Sequence, residues 1–382
     1  MRLVDEFRDK ALAAKLLARI AARTPAAQRA LGRGDAAIRI MEVCGGHTHV
    51  IFKYGLEGLM PAALDLVHGP GCPVCVLPVG RVDHAIAIAH MPGVMFCSFG
   101  DALRVPGSTH SLLQAKAAGA DVRTVYSPAD ALALARAHPD REVVFFGLGF
   151  ETTAPATALV VQDARRAGAT NFSVFSNHIT IPETLEALLA APGQALDGFV
   201  APGHVTMVIG EAPYAPIVAR HRKPMVIAGF EPLDVLAAIA LVLDQLIAGQ
   251  ARVDNQYQRV VRPDGNPRAR AAIDDVFELR AEFEWRGLGL IPRSGLGLRA
   301  AYAAFDAERK FPIATQRVAD PKACQCGAVL KGAIQPWQCK VFGTACTPET
   351  PIGACMVSSE GACAAYYNYG RLSTIRKLEV PA

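Results

Sequence analysis

Between about residue 36 and residue 230 the chain alternates short apolar runs with longer stretches in which apolar side chains recur every three or four positions. The short runs fit strands buried on both faces, and the longer stretches fit helices that cover them. Alternation of the two predicts an α/β fold built on parallel sheets. Strands are expected at 38–43, 64–67, 94–98 and 122–126 in a first group, and at 143–147, 172–175, 198–201 and 225–228 in a second. Two Rossmann-like parallel-sheet α/β domains follow, at 36–140 and 141–250. Helix starts are legible at Ser127-Pro128 and at Thr180, where Glu183 three residues on forms a capping-box pattern beside Pro182. Residues 1–35 read as an N-terminal amphipathic helix. Beyond Gly249 the pattern becomes polar and Arg-rich, with Asp264-Gly265-Asn266-Pro267 as a turn signal, and ends in six cysteines within forty residues. A third, mainly helical domain is expected at 251–382.

A length of 382 residues at 51% hydrophobic content is enough for such domains, each with its own core. Lys and Arg total 39 against 35 Asp and Glu, a formal charge of +4 with no dense basic block, so nucleic acid is not an expected partner. The most apolar helical stretch, 233–247, carries Asp234 and Asp244 and falls short of the roughly 20 apolar residues a membrane span needs. It reads as a buried core helix, and no membrane association is expected. The N-terminal segment is charged from its second residue and lacks the features of a secretory signal. A cytoplasmic location is therefore expected, where thiols stay reduced and clustered cysteines more often serve metal or redox chemistry.

Parallel sheets bind ligands at the carboxyl ends of their strands, which directs attention to the residues after each run. The first strand is followed by Cys44-Gly45-Gly46-His47-Thr48-His49, a thiol and two imidazoles on an open turn. His47 and His49 are as readily hydrogen-bonding residues as functional ones, and neither is assigned as a metal ligand. After the second strand comes Gly69-Pro70-Gly71-Cys72-Pro73-Val74-Cys75. A Cys-x-x-Cys pair at such a turn places its first sulfur near free backbone N–H groups, which favour thiolate; two buried hydrophobes are the weaker reading. Gly149-Phe150-Glu151-Thr152-Thr153 offers hydroxyls and N–H groups suited to an anion or a small polar ligand, with helix capping by Thr152 or Thr153 as the plain alternative. His178 and His204 end the next two strands. His204, after Pro202-Gly203, is the better candidate for proton transfer, and His178 reads equally well as structural. Of the C-terminal Cys324, Cys326, Cys339, Cys346, Cys355 and Cys363, four thiolates would suffice for a four-iron, four-sulfur (4Fe-4S) cluster, with structural zinc as the competing metal. Cys97, inside an apolar run, reads as core.

Taken together, Glu42 to His49, Gly69 to Cys75, Gly149 to Pro155 and Ala201 to Val205 resemble the HypD family of nickel-iron hydrogenase maturation proteins over nearly the whole chain. The resemblance implies a scaffold on which iron acquires two cyanides and one carbon monoxide before delivery to a hydrogenase large subunit. By that resemblance Cys44 is the ligand of the transient Fe(CN)2CO iron, and Cys324, Cys339, Cys346 and Cys363 match the family's cluster spacing and hold 4Fe-4S. It further implies that Cys72 and Cys75 act as redox thiols, that Cys326 and Cys355 form a second dithiol relay, and that Thr152, Thr153 and His204 line the cleft. Glu360 is either functional there or a surface carboxylate. The implied partners are a small HypC-like chaperone and a HypE-like cyanide donor. A stand-alone, cluster-dependent thiol-disulfide oxidoreductase is the competing function, and a nucleotide-binding module on the Thr152-Thr153 turn a third.

Overall fold

The computed structural model describes residues 5–193, 195–314 and 317–370. Two all-parallel sheets form its centre. The strands are β1 (Ile38–Glu42), β2 (Leu64–His68), β3 (Val94–Ser98), β4 (Val122–Thr124), β5 (Glu142–Gly149), β6 (Phe172–His178), β7 (Gly198–Pro202), β8 (Met225–Ala228) and β9 (Val253–Asn255). Eight of these fall where the apolar runs predict them. The ninth, β9, is too short and polar to register as a run.

The assignment of strands to sheets departs from chain order, and here the expected grouping of the first four strands in one sheet and the next four in a second is corrected. One sheet has the order β2-β1-β7-β8-β9, and the other β4-β3-β5-β6. Thus β3 and β4 join β5 and β6 as one contiguous unit inserted between β2 and β7. Apolar runs report burial on both faces but say nothing about which strand lies alongside, because parallel pairing is made through distant crossovers.

Helices cover the sheets as their sequences require. Pro232–Ile247 is the expected core helix, with Leu236, Ile239 and Leu243 fully buried against β1, β7 and β8 and against Ile20 of the N-terminal helix Lys10–Leu31. Among the described residues no helix is long and apolar enough to cross a membrane. Ser127 caps Pro128–Ala137 through a reciprocal box with Asp130. The expected box at Thr180 does not form: the Thr180 backbone N–H donates to Ser294 O at 3.0 Å, and its hydroxyl leans to Arg293 O, so tertiary contacts replace the local cap. The third region contains short helices, and also two antiparallel strand pairs, Phe277–Leu279 with Leu296–Leu298 and Glu282–Trp285 with Gly289–Pro292, which the sequence pattern did not suggest.

A buried ionic knot joins all three regions. Arg81, on the helix Val79–Ala89, donates to Asn177 Oδ1 at 2.5 Å and to Ser176 O at 2.8 Å, lies 4.1 Å over the Phe175 ring, and pairs with Glu308, which also pairs with Arg280. Burial alone would raise the Glu308 carboxyl, but Arg81 and Arg280 outweigh it and draw it down to about 2 from an ordinary 4.5. A carboxyl depressed by folding contributes stability that is present above its unfolded value and lost as pH falls towards the folded one. Urea unfolding midpoints are therefore expected to drop between about pH 4.5 and pH 2. Glu308→Gln should flatten that slope and cost roughly 3 kcal/mol at neutral pH, since it strands the buried Arg81 guanidinium and the part-buried Arg280; an unchanged slope would contradict this.

Candidate functional site

The carboxyl ends of both sheets face each other across a cleft of about 360 Å³. From the five-stranded sheet come Cys44 after β1, Gly71 and Pro73 after β2, and His204 after β7. The four-stranded sheet contributes Phe99 and Asp101 after β3, and Thr152 and Thr153 after β5. Glu360 reaches the same space from the C-terminal segment. Five residues singled out in the sequence thus share one cavity: Cys44, Thr152, Thr153, His204 and Glu360.

Cys44 sits at the N-terminal cap position of the helix Gly45–Lys53. Its backbone N–H donates to Glu42 Oε2 at 2.9 Å, while the other oxygen of that buried carboxylate takes the Thr48 hydroxyl and, at 2.8 Å, His68 Nδ1–H. Because β1 and β2 are in register at Glu42 and His68, this pair lies directly beneath the Cys44 turn. Burial would lower His68, but Glu42 outweighs it and raises the imidazole. Burial first, and then the Glu360 carboxylate, push the Cys44 thiol up to about 12. The free thiol is therefore neutral at pH 7, and a ligand that needs thiolate must displace its proton.

Thr153 occupies the cap position of the helix Ala154–Arg166 without capping it; its hydroxyl turns back towards Leu148 O and Phe150 O, both at 3.4 Å. Thr152 is exposed to the cleft. His204 presents one face to the cavity and stacks the other on Phe230 at 3.8 Å between ring centres; partial burial lowers its imidazole.

The other three histidines singled out in the sequence stand outside the cleft lining. His178 is buried at the end of β6, in contact with the Thr157 and Ser176 hydroxyls, and burial drives its imidazole down to about 3. His47 is buried against Phe230, its Nε2–H donating to Gly229 O at 3.0 Å. His49 packs edge-on against Tyr369.

Behind the cleft, Cys72 and Cys75 form a disulfide on a turn that precedes the helix Val79–Ala89, and the Cys75 N–H is directed at Cys72 Sγ at 3.3 Å. Both are almost fully buried. Gly361 links them to the C-terminal thiols, since a Cβ there would stand 2.9 Å from Cys75 Sγ and 2.3 Å from Cys355 O. The sulfurs of Cys324 and Cys326 converge on the bare Cα of Gly353, and Cys355 exchanges thiol hydrogen bonds with Cys326 and Cys363. The bonds from Cys326 and Cys363 draw Cys355 down, while those from Cys326 first, and then Cys355, push Cys363 up. Cys346 Sγ receives the Ile352 N–H at 3.4 Å and lies within the electrostatic reach of Cys324 and Cys326. Cys339 closes the short helix Pro336–Gln338 and is half-buried. Sulfur-only donors in a buried setting suit a thiolate-bound cluster. Among the described residues, no three His, Cys, Asp or Glu side chains stand ready-arranged around a metal position. Cys97 lies on β3 with its side chain in the core, as its apolar run suggests.

Glu42, Phe99, Asp101, Met207 and Phe230 belong to the site or its support and escaped sequence reasoning. Phe230 was within reach, since Gly229-Phe230 follows β8 as Cys44 follows β1.

Two parallel sheets that meet at a thiol-bearing cleft, backed by a dithiol and a cysteine-rich C-terminal region, define a thiol-based α/β protein. Its residues 12–370 match the HypD family model, described as "Hydrogenase formation hypA family". The hydrogenase maturation factor HypD of Rhodobacter capsulatus is 58% identical over 374 residues, covering 97% of this chain and 98% of that protein. That of Escherichia coli (strain K12) is 52% identical over 369 residues, at 97% and 98% coverage. The hydrogenase expression/formation protein HupD of Azotobacter chroococcum mcd 1 is 53% identical over 377 residues, at 97% of each. The chain belongs to the HypD family of hydrogenase maturation factors.

Proposed function

We propose that this protein is the scaffold on which the Fe(CN)2CO unit of a nickel-iron hydrogenase is assembled before transfer to the large subunit. The observation that carries this reading is the meeting of Cys44, Thr152, Thr153, His204 and Glu360 in one cleft with a dithiol behind it. A soft thiolate from Cys44 suits low-spin ferrous iron, and a HypC-like chaperone would add a second thiolate. The hydroxyl of Thr152 and a ring N–H of His204 are donors of the kind that would hold a cyanide nitrogen. Glu360, which shares the cavity and whose charge is felt at Cys44, would accept the proton the thiol gives up.

Cyanide would arrive as a thiocyanate on a cysteine of a HypE-like donor. Releasing it breaks the S–C bond and takes two electrons, giving one thiolate and one cyanide. The Cys72/Cys75 dithiol would supply those electrons by closing to the disulfide and losing two protons. A 4Fe-4S cluster held by Cys324, Cys339, Cys346 and Cys363 supplies single electrons when bound. Cys326 and Cys355 would relay between that region and Cys75 across Gly361. An external reductant must complete the cycle. The cytoplasm, where thiols are kept reduced, is the compartment that suits this chemistry.

A stand-alone thiol-disulfide oxidoreductase is less well supported, because it leaves the cleft of Cys44, Thr152, Thr153, His204 and Glu360 without a role. The nucleotide-binding reading is weaker still, because the Thr153 hydroxyl is turned towards backbone carbonyls.

Expression of this chain in a bacterium deleted for its own HypD-family gene is expected to restore hydrogenase activity, and the Cys72→Ser and Cys75→Ser proteins to fail. Restoration by both serine variants would remove the dithiol from the reaction. Anaerobic reconstitution should give visible iron-sulfur absorbance and about four irons per chain. One zinc per chain without colour would contradict the cluster.

A further inference from the structure

His47, Phe230 and His204 form a continuous stack, with ring centres 4.6 Å apart on one side of Phe230 and 3.8 Å on the other, and planes inclined by 19° and 22°. The backbone on both sides of the middle ring is tied by hydrogen bonds. On one side of it the Gly229 N–H donates to Gln256 Oε1 at 3.2 Å, and on the other the Glu231 N–H donates to Asp234 Oδ2 at 3.1 Å. Asp234 is itself buried and gripped by both arms of Arg259, at 2.7 and 2.5 Å, and by Gln256 at 2.9 Å. Tyr257 closes the remaining side edge-on at 6.1 Å.

The clamped ring touches the iron-loading site at two places. It packs on Gly46, where a Cβ would come within 2.8 Å of Phe230 Cδ1 and 3.8 Å of Cys44 Sγ, so its edge borders the Cys44 turn. Its face carries His204, which among the described residues has no hydrogen bond to fix the plane of its ring. A donor aimed at a ligand is worth little unless its direction is fixed in advance, and stacking on a rigid aromatic face supplies that direction without consuming a ring nitrogen.

We propose that Phe230 is a positioning residue of the assembly site: clamped through Asp234 and Arg259, it sets the plane of His204 and the seat of Cys44 so that both address one ligand-bearing iron. This rests on the scaffold reading given above. It predicts a difference between substitutions of similar bulk. Phe230→Leu keeps apolar volume but loses the flat face; Phe230→Tyr keeps the face.

The test has one readout without iron and one with it. In the iron-free protein, the His204 ring-proton resonances, assigned against His204→Ala, should lose the ring-current shift in Phe230→Leu and keep it in Phe230→Tyr. In the anaerobic complex with the small partner, Phe230→Leu should slow the appearance of cyanide stretching bands by about a hundredfold, the scale of a misplaced reacting group. The same substitution should cost markedly less in a His204→Ala background, since residues that act through one another are not additive. Unmoved His204 resonances, or losses that simply multiply in the double variant, would overturn the proposal. Shifted resonances with no bands even in the unsubstituted protein would instead overturn the scaffold reading, and the role with it.

Discussion

Cys44→Ala is expected to keep the fold and any bound cluster, yet to carry no cyanide- or carbonyl-bearing iron when purified anaerobically with its small partner. The expectation of an intact fold comes from what alanine preserves. The Cys44 backbone N–H still reaches Glu42 Oε2, the Gly45 N–H still reaches Gly71 O, and the side chain removed is half-buried at a cavity wall. A stability cost of about 1 kcal/mol follows. Loss of the cargo should be complete, because among the cleft-lining residues Cys44 alone offers a soft thiolate. Since burial and Glu360 hold the free thiol at about 12, ligation releases a proton, and iron retention in the native protein should strengthen as pH rises. Iron analysis with infrared spectroscopy checks both statements. Cargo retained at the native level in Cys44→Ala would remove Cys44 from the site.

Gly71→Ala is expected to be nearly as damaging without touching any reactive group. A Cβ at Gly71 would stand 2.2 Å from the Cys44 nitrogen, 2.3 Å from the Val43 carbonyl carbon and 2.4 Å from the Cys44 Cα. All three are backbone atoms, which cannot swing aside as a side-chain end would. The turn after β1 and the turn after β2 must then part, breaking the Gly45 N–H to Gly71 O bond of 2.9 Å. Overpacking of this kind costs roughly 3 kcal/mol, and displacement of Cys44 by about 1 Å would cost on the order of a hundredfold in maturation. Gly100→Ala is the control, since its Cβ would meet nothing nearer than Thr124 Cγ2 at 3.8 Å. Urea midpoints and hydrogenase maturation should fall together in Gly71→Ala and stay unchanged in Gly100→Ala. Native values in Gly71→Ala would mean the two turns are not interlocked.

Eight of the nine parallel strands were legible because each is a short apolar run, most of them closed by Gly, Pro, His or Cys, and the cleft was legible in outline because ligands gather where parallel strands end. Cys44, Thr152, Thr153 and His204 all follow from that rule. Partnership between strands did not: nothing local to β3 distinguishes pairing with β5 from pairing with β1, and the register Val94 with Glu142 is made across more than forty residues. Glu360 required the family resemblance, because it enters the cleft only when a distant segment folds back over the Cys44 turn. The Thr180 capping signal misled because Ser294, more than a hundred residues away, competes for the same backbone. Glu42 reads as an ordinary strand residue until register sets it against His68. In each case the missing information was long-range contact, not local propensity.

The central claim, that the cleft carries iron with its diatomic ligands, is tested most directly by infrared spectroscopy of the anaerobically purified complex with the small partner. Loading with carbon-13-labelled cyanide from the donor protein is predicted to give bands in the cyanide and carbonyl stretch regions, with only the cyanide bands displaced by the label. A complex that forms and holds iron but shows neither band, labelled or unlabelled, would contradict the account.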